Sequence, residues 1–186
     1  MSTKTFTGGA KLQAYLKEIA TKADRSAVVK VGFPNSADGG GATYPGGQTV
    51  AMVAALQEYG APRASIPPRP FFRTMIKKNK GHWGTDVGAA LKHHDYDAVA
   101  ALTDIGVEIE DELRDSITEM NAPPLSPITL MLRKIFGNHP DEIRGADVGD
   151  AAARVERGES YAGVSTKPLV WTGHMQNSIK SIVVKK

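Results

Sequence analysis

Two adjacent histidines, His93 and His94, lie beside the carboxylates of Asp95 and Asp97 and have the composition of a metal site. Imidazole and carboxylate groups are common ligands of divalent metals. Neighbouring residues on a strand or loop point to different sides, however, which is poor spacing for ligands of one ion. A polar turn in front of a helix is the alternative interpretation, and we expect no metal or other cofactor.

Nucleophilic and acid–base chemistry lack a clear constellation. A catalytic serine needs a strained turn with a base in reach. The chain has no Gly-x-Ser-x-Gly motif, and a short loop leading into a strand explains His174 near Ser178. Carboxylates are dense between Glu108 and Glu119, on what we interpret as the solvated face of a helix. The chain contains no cysteine, which excludes thiolate chemistry and disulfides. We therefore expect a protein that is not an enzyme.

A basic segment with interleaved aromatic residues is the candidate for nucleic-acid binding. Aromatic side chains in a basic groove can stack on bases. The two phenylalanines also fit a buried helix face, and the acidic middle of the chain would repel phosphates, so direct DNA binding is the less favoured interpretation. The segment contains Arg63, Arg69, Arg73, Lys77, Lys78 and Lys80 with Phe71, Phe72 and Trp83.

Hydrophobic periodicity predicts five or six helices and two to four strands. The strands lie at the two ends of the chain with the helices between them, which is typical of an α+β fold with a small, mostly antiparallel sheet. Residues 35–48 are a glycine-rich arm or hairpin tip without the Gly-Lys-Ser/Thr ending of a phosphate loop. We predict helices over 9–23, 50–59, 71–80, 97–120, 126–136 and 147–157, and strands over 26–33 and 178–184.

Two buried faces can be specified. For the helix over 50–59, capped by Thr49, we predict a buried stripe of Met52, Val53, Leu56 and Tyr59. The helix over 97–120 carries six apolar residues at helical spacing: Leu102, Ile105, Ile109, Leu113, Ile117 and Met120.

The net charge of +3 hides a strong segregation of charge along the chain. Residues 1–80 carry 12 basic and 4 acidic side chains, residues 81–160 carry 7 and 16, and residues 161–186 carry 4 and none. Such complementary regions can attract each other within one molecule or between copies of it. Clustered solvated faces are the alternative. No apolar run approaches the ~20 residues that span a bilayer, and the N-terminus lacks a signal sequence, so we expect a soluble protein made in a reducing cytoplasm.

Two segments resist a purely local explanation. Residues 66–73 (IPPRPFFR) form an extended arm that enters a helix, and their prolines reduce the entropy lost on docking. Residues 168–179 (PLVWTGHMQNSI) place an exposed-looking Trp171 beside a glycine turn. Both segments could serve the fold alone, or both could be contact surfaces between subunits.

At these segments the sequence resembles the tail-completion, or neck, proteins of tailed bacteriophages, the HK97-type tail components. Three stretches carry the resemblance: 29–34 (VKVGFP) with 44–47 (YPGG) and 50–60 (VAMVAALQEYG), then 66–73, and finally 124–130 (PLSPITL) with 167–179. Two departures stand out. Residues 139–165 are an acidic helical insertion in the third stretch, and Trp171 stands where the family is usually acidic.

The resemblance implies one α+β domain, residues 1–186, that acts as a structural virion protein at the neck or top of the tail. It would assemble in the host cytoplasm as a ring, with a hexamer favoured, between the capsid connector and the tail terminator or tail tube proteins. A tail terminator or tail-tube-end protein with the same parts is the alternative. We predict interface roles for Ile66, Pro67, Pro68, Arg69, Pro70, Phe71, Arg73, Pro168, Leu169, Trp171, Thr172, Gly173 and His174.

Overall fold

The computed structural model of the protein describes residues 9–23, 27–34 and 41–185. Within these ranges the chain forms eight helices and a two-stranded antiparallel sheet, which confirms the predicted α+β class. No helix in these ranges is both long and apolar enough to cross a membrane. In chain order the elements are α1 (Gly9–Ala23), β1 (Ala27–Gly32), α2 (Val50–Tyr59), α3 (Phe71–Asn79), α4 (Trp83–His93), α5 (Ala98–Glu119), α6 (Pro127–Phe136), α7 (Gly145–Glu156), α8 (His174–Asn177) and β2 (Lys180–Lys185).

Local capping residues begin the helices where the sequence predicts. The Thr49 hydroxyl accepts a hydrogen bond from the Met52 N–H at 3.2 Å, and the Ser126 hydroxyl accepts one from Thr129 at the same distance. Asp97 accepts two backbone N–H groups of the first turn of α5. Each cap satisfies donors that a helix leaves unpaired at its start, which confirms these helix boundaries.

Helix α4 was not predicted, and with the single turn of α8 it raises the helix count above the expected five or six. Gly84 and Gly88 lie within α4, and none of its residues is buried. A helix without a buried stripe lacks the apolar periodicity by which helices are recognised in a sequence.

The buried face of α2 also differs from the prediction. Val50, Ala54 and Glu58 are buried, whereas Met52 and Tyr59 are 55% and 68% exposed. The buried positions recur every four residues, as on one face of a helix. They centre on an alanine and a glutamate, which hydrophobicity alone does not select.

The chain divides into two compact units. Unit 1 contains residues 1–31, 79–109 and 181–186, and unit 2 contains residues 32–78 and 110–180. In unit 1, β2 lies so close to α5 that a Cβ on Gly106 would be 2.8 Å from the Ser181 side chain. The core of unit 2 contains the fully buried Phe71, Met75, Leu113, Ile117, Met131 and Ile179.

The predicted insertion, residues 139–165, belongs to unit 2. Its helix α7 packs on α6, with Ala151 buried against Met131 and Leu132. Half-buried apolar side chains complete this cluster: Ile128, Phe136, Ile143, Val155, Tyr161 and Trp171. The acidic segment thus presents an apolar face to the fold.

Candidate functional site

An open groove of about 1430 Å³ lies within unit 2. Four segments line it: the turn before α2, the arm before α3, the start of α6 and the turn before α8. The volume exceeds the ~300–1000 Å³ of a typical small-molecule site. We call this feature the groove.

The two segments that sequence analysis selects meet at the groove. Ile66, Pro67 and Arg69 of the arm line it, whereas Pro68, Pro70, Phe71 and Arg73 do not. From the second segment the lining residues are Pro168, Leu169, Trp171, Thr172, Gly173 and His174. The interface roles of these residues stay predictions.

Glu58 holds the arm at the point where it enters α3. Its carboxylate accepts the backbone N–H groups of Phe72 at 2.8 Å and Arg73 at 3.2 Å, and the Arg73 Nε at 2.7 Å. A carboxylate at the start of a helix also interacts favourably with the helix dipole. The Arg73 guanidinium further lies 5.1 Å from the centre of the Tyr59 ring, and Phe71 is buried in the core.

Arg69 connects the arm to two other parts of unit 2. Its backbone N–H donates to the Gln57 carbonyl at 2.7 Å, and its Nη1 donates to the Gln57 side-chain oxygen at 3.0 Å. Its Nε donates to the Pro123 carbonyl at 3.1 Å, and its Nη2 to the Pro124 carbonyl at 3.5 Å. Burial lowers the pKa of Arg69. All four acceptors are neutral.

Arg133 on α6 is the second buried guanidinium of the groove. Its Nη1 donates to the Ser165 carbonyl at 2.7 Å, and its guanidinium carbon lies 5.1 Å from the centre of the Trp171 ring. Within the part of the chain that the structure describes, its Nε is buried without a hydrogen-bond partner. Burial lowers the pKa of Arg133, and the positive charge of Arg69 lowers it further.

Trp171 and His174 fix the turn before α8. Trp171 is half-buried rather than exposed, and its indole N–H donates to the Gly137 carbonyl at 2.5 Å. His174 Nε2 lies 3.1 Å from the Thr43 carbonyl oxygen, and its ring packs edge-on against Tyr44 at 4.8 Å. These contacts hold residues 43–49, where Gly47 turns the chain with a φ of +82°. Residues 41–48 form the predicted hairpin tip, and residues 35–40 lie outside the described ranges.

Sequence analysis missed Arg133 and Gln57. A weak signal exists for Arg133, because its spacing of three residues from Leu130 and Phe136 places a cation on the apolar face of α6. Gln57 has no comparable signal, since its role depends on an arginine that approaches from another segment.

The other sequence candidates are engaged elsewhere. His94 Nε2 lies 2.6 Å from Asp104 in unit 1, and Asp97 caps α5. In the basic segment, Arg69 is buried, Arg73 pairs with Glu58, and Lys78 pairs with Glu119 at 3.2 Å.

No protein-family model, curated protein or solved structure matches this chain. The groove and its buried guanidinium groups are therefore the basis for the proposals that follow.

Proposed function

We propose that this protein is a non-enzymatic virion protein of a tailed bacteriophage, located at the head–tail junction. There it completes the end of the tail and joins it to the capsid connector. One observation carries most of the support: each of the three stretches that resemble tail-completion proteins contributes residues to the same groove. Segments far apart in the chain converge on one surface when that surface is used for binding.

The surface of each unit also suits a protein that works in an assembly. Leu12, Tyr15 and Leu16 form an apolar stripe on α1 in unit 1, and each is more than half exposed. In unit 2, Met52 and Tyr59 are equally exposed on α2. Exposed apolar stripes of this kind favour contacts with other proteins. A homo-oligomeric ring, most simply a hexamer, would bury them between neighbouring copies or against connector and tail proteins.

A nucleic-acid-binding role has less support. Phosphate recognition requires cations that are free to release their counterions. In unit 2, however, Arg69 is buried among neutral acceptors, and Arg73 and Lys78 already pair with carboxylates.

Electron microscopy of a phage that lacks this gene tests the virion role. We expect filled heads and separate tails, because the joining layer is missing, and restored particles when the gene is supplied from a plasmid. Normal infectious particles from the deletion would contradict the proposal. Supplying a Leu113→Asp variant, which disrupts the buried core, is the matched control for loss of folded protein.

A charge-reversal experiment tests the ring. Glu142 and Glu156 are exposed acidic residues of the 139–165 segment, whereas Asp147 caps α7 by accepting the Arg144 N–H. We expect Glu142→Lys with Glu156→Lys to weaken self-assembly more at low salt than at high salt, because salt screens surface charges. Mass photometry at both salt concentrations measures the change. Unchanged assembly at both would show that this segment is not the acidic partner in a ring.

A further inference from the structure

The groove contains two buried positive charges without a carboxylate partner. Arg69 and Arg133 are 5% and 6% exposed, and their hydrogen-bond acceptors are carbonyl and amide oxygens. Removing an ion from water without pairing it is costly. Within the described ranges, Asp141 is the only carboxylate that lines the groove, and it forms an ion pair with neither arginine.

The orphaned Nε of Arg133 strengthens this observation. A buried donor without an acceptor is rare in folded proteins and commonly marks a functional position. The Trp171 ring lies over the Arg133 guanidinium, so the charge is held in place while it lacks a counter-ion. The positive charges of Arg69 and Arg133 also oppose each other. An anion from outside the chain would relieve both costs.

We propose that the groove binds an extended segment of a partner protein, with a carboxylate of that segment facing Arg69 and Arg133. The binding depends on the groove alone and does not require a virion role. Its chemistry is a carboxylate flanked by apolar side chains.

The size and walls of the groove favour a protein segment over a small anion. A volume of about 1430 Å³ would leave a lone phosphate or acetate mostly in water. The walls include apolar side chains that such an ion could not cover: Val53, Ile66, Pro67, Leu125, Pro168 and Leu169. Extended peptides commonly bind grooves in which prolines and aromatic rings alternate with a few polar groups.

Peptide capture by the purified full-length chain tests the proposal. Two pools of short synthetic peptides of equal length are used, which differ only in a central Glu or Gln. We expect about 10- to 100-fold greater capture from the Glu pool, because hydrogen bonds to charged groups are stronger than those between neutral groups. Mass spectrometry of the captured peptides gives the ratio.

Arg133→Met is the first test variant. We expect it to lose the preference for Glu peptides and to keep or raise the midpoint of urea unfolding, because it removes an unpaired buried charge. A purely structural arginine would instead lower the midpoint on removal. Arg63→Gln is the control, since Arg63 is exposed and lies outside the groove, and it should capture like the wild type.

Trp171→Glu and Trp171→Gln form a matched pair that keeps both arginines. The glutamate supplies a carboxylate from within the protein, so we expect Trp171→Glu to capture fewer Glu peptides than Trp171→Gln does.

Equal capture from both peptide pools, or no capture from either, would overturn the proposal. Self-association of the wild-type chain that blocks peptide capture would also overturn it and would assign the groove to a second copy. Retained Glu preference in Arg133→Met would exclude that guanidinium as the carboxylate site.

Discussion

Glu58 and Arg133 are two buried charged side chains of unit 2 with opposite surroundings. The Glu58 carboxylate accepts two backbone N–H groups at the start of α3 and the Arg73 guanidinium. The Arg133 guanidinium has one carbonyl acceptor, an aromatic ring and a second positive charge near it. Glu58 is fully compensated by the fold, whereas Arg133 is not.

This difference separates a structural charge from a binding charge. A buried ion whose partners are all within the chain stabilises the local structure, and breaking the set leaves its partners exposed to the full desolvation cost. A buried ion without a counter-ion costs stability, and proteins retain such costs mainly at functional sites. Stability measurements on the two regions should therefore give opposite signs.

Glu58→Ala should have the largest effect. We expect the free energy of unfolding to fall by about 3 kcal/mol, because the substitution removes a helix cap and leaves Arg73 without its partner. Urea denaturation followed by circular dichroism measures the loss. Glu58→Gln keeps one acceptor oxygen and should lose less. A loss below about 1 kcal/mol would mean that water replaces the carboxylate without cost.

Gly60→Ala should follow, because Gly60 ends α2 between Glu58 and the arm that carries Arg69. Its φ is +76°, and an added Cβ would lie 2.8 Å from the Pro68 nitrogen. We expect a loss of about 2 kcal/mol in thermal or urea unfolding. Gly149→Ala is the control: a Cβ there meets nothing within 4 Å, so it should raise stability by up to about 1 kcal/mol. Equal effects would show that the arm does not need this close approach.

Arg73→Ala tests how much of the Glu58 effect comes from the ion pair. The Arg73 side chain is 56% exposed, so solvent weakens the pair, and we expect a loss of about 1 kcal/mol. A double-mutant cycle with Glu58→Ala gives the coupling energy between the two side chains. A coupling near zero would assign the stabilisation by Glu58 to its bonds with the backbone.

Arg133→Met should have the smallest effect, and with the opposite sign. We expect the free energy of unfolding to stay unchanged or to rise by up to about 1 kcal/mol, because an unpaired buried charge is replaced by an apolar side chain of similar length. The same urea titration measures it. A fall of more than about 1 kcal/mol would remove the contrast between the two regions and make Arg133 a structural residue.

The sequence determines the helix ends and much of the candidate site. Thr49, Asp97 and Ser126 begin their helices by hydrogen bonds that span two or three residues, so the signal is local. The proline-rich arm and the turn around Trp171 are also visible in the sequence, because their composition departs from that of a helix or a strand. Both segments reach the groove, as their shared prominence suggested.

The tertiary structure alone decides which faces are buried and which charges are paired. The stripe predicted for α2 was wrong because the packing of that helix selects Ala54 and Glu58 rather than Met52 and Tyr59. Arg69 and Arg133 are distant in the chain, and neither residue type signals that it will be buried without a carboxylate. Burial and charge pairing depend on what approaches from other segments, and a one-dimensional pattern does not contain that information.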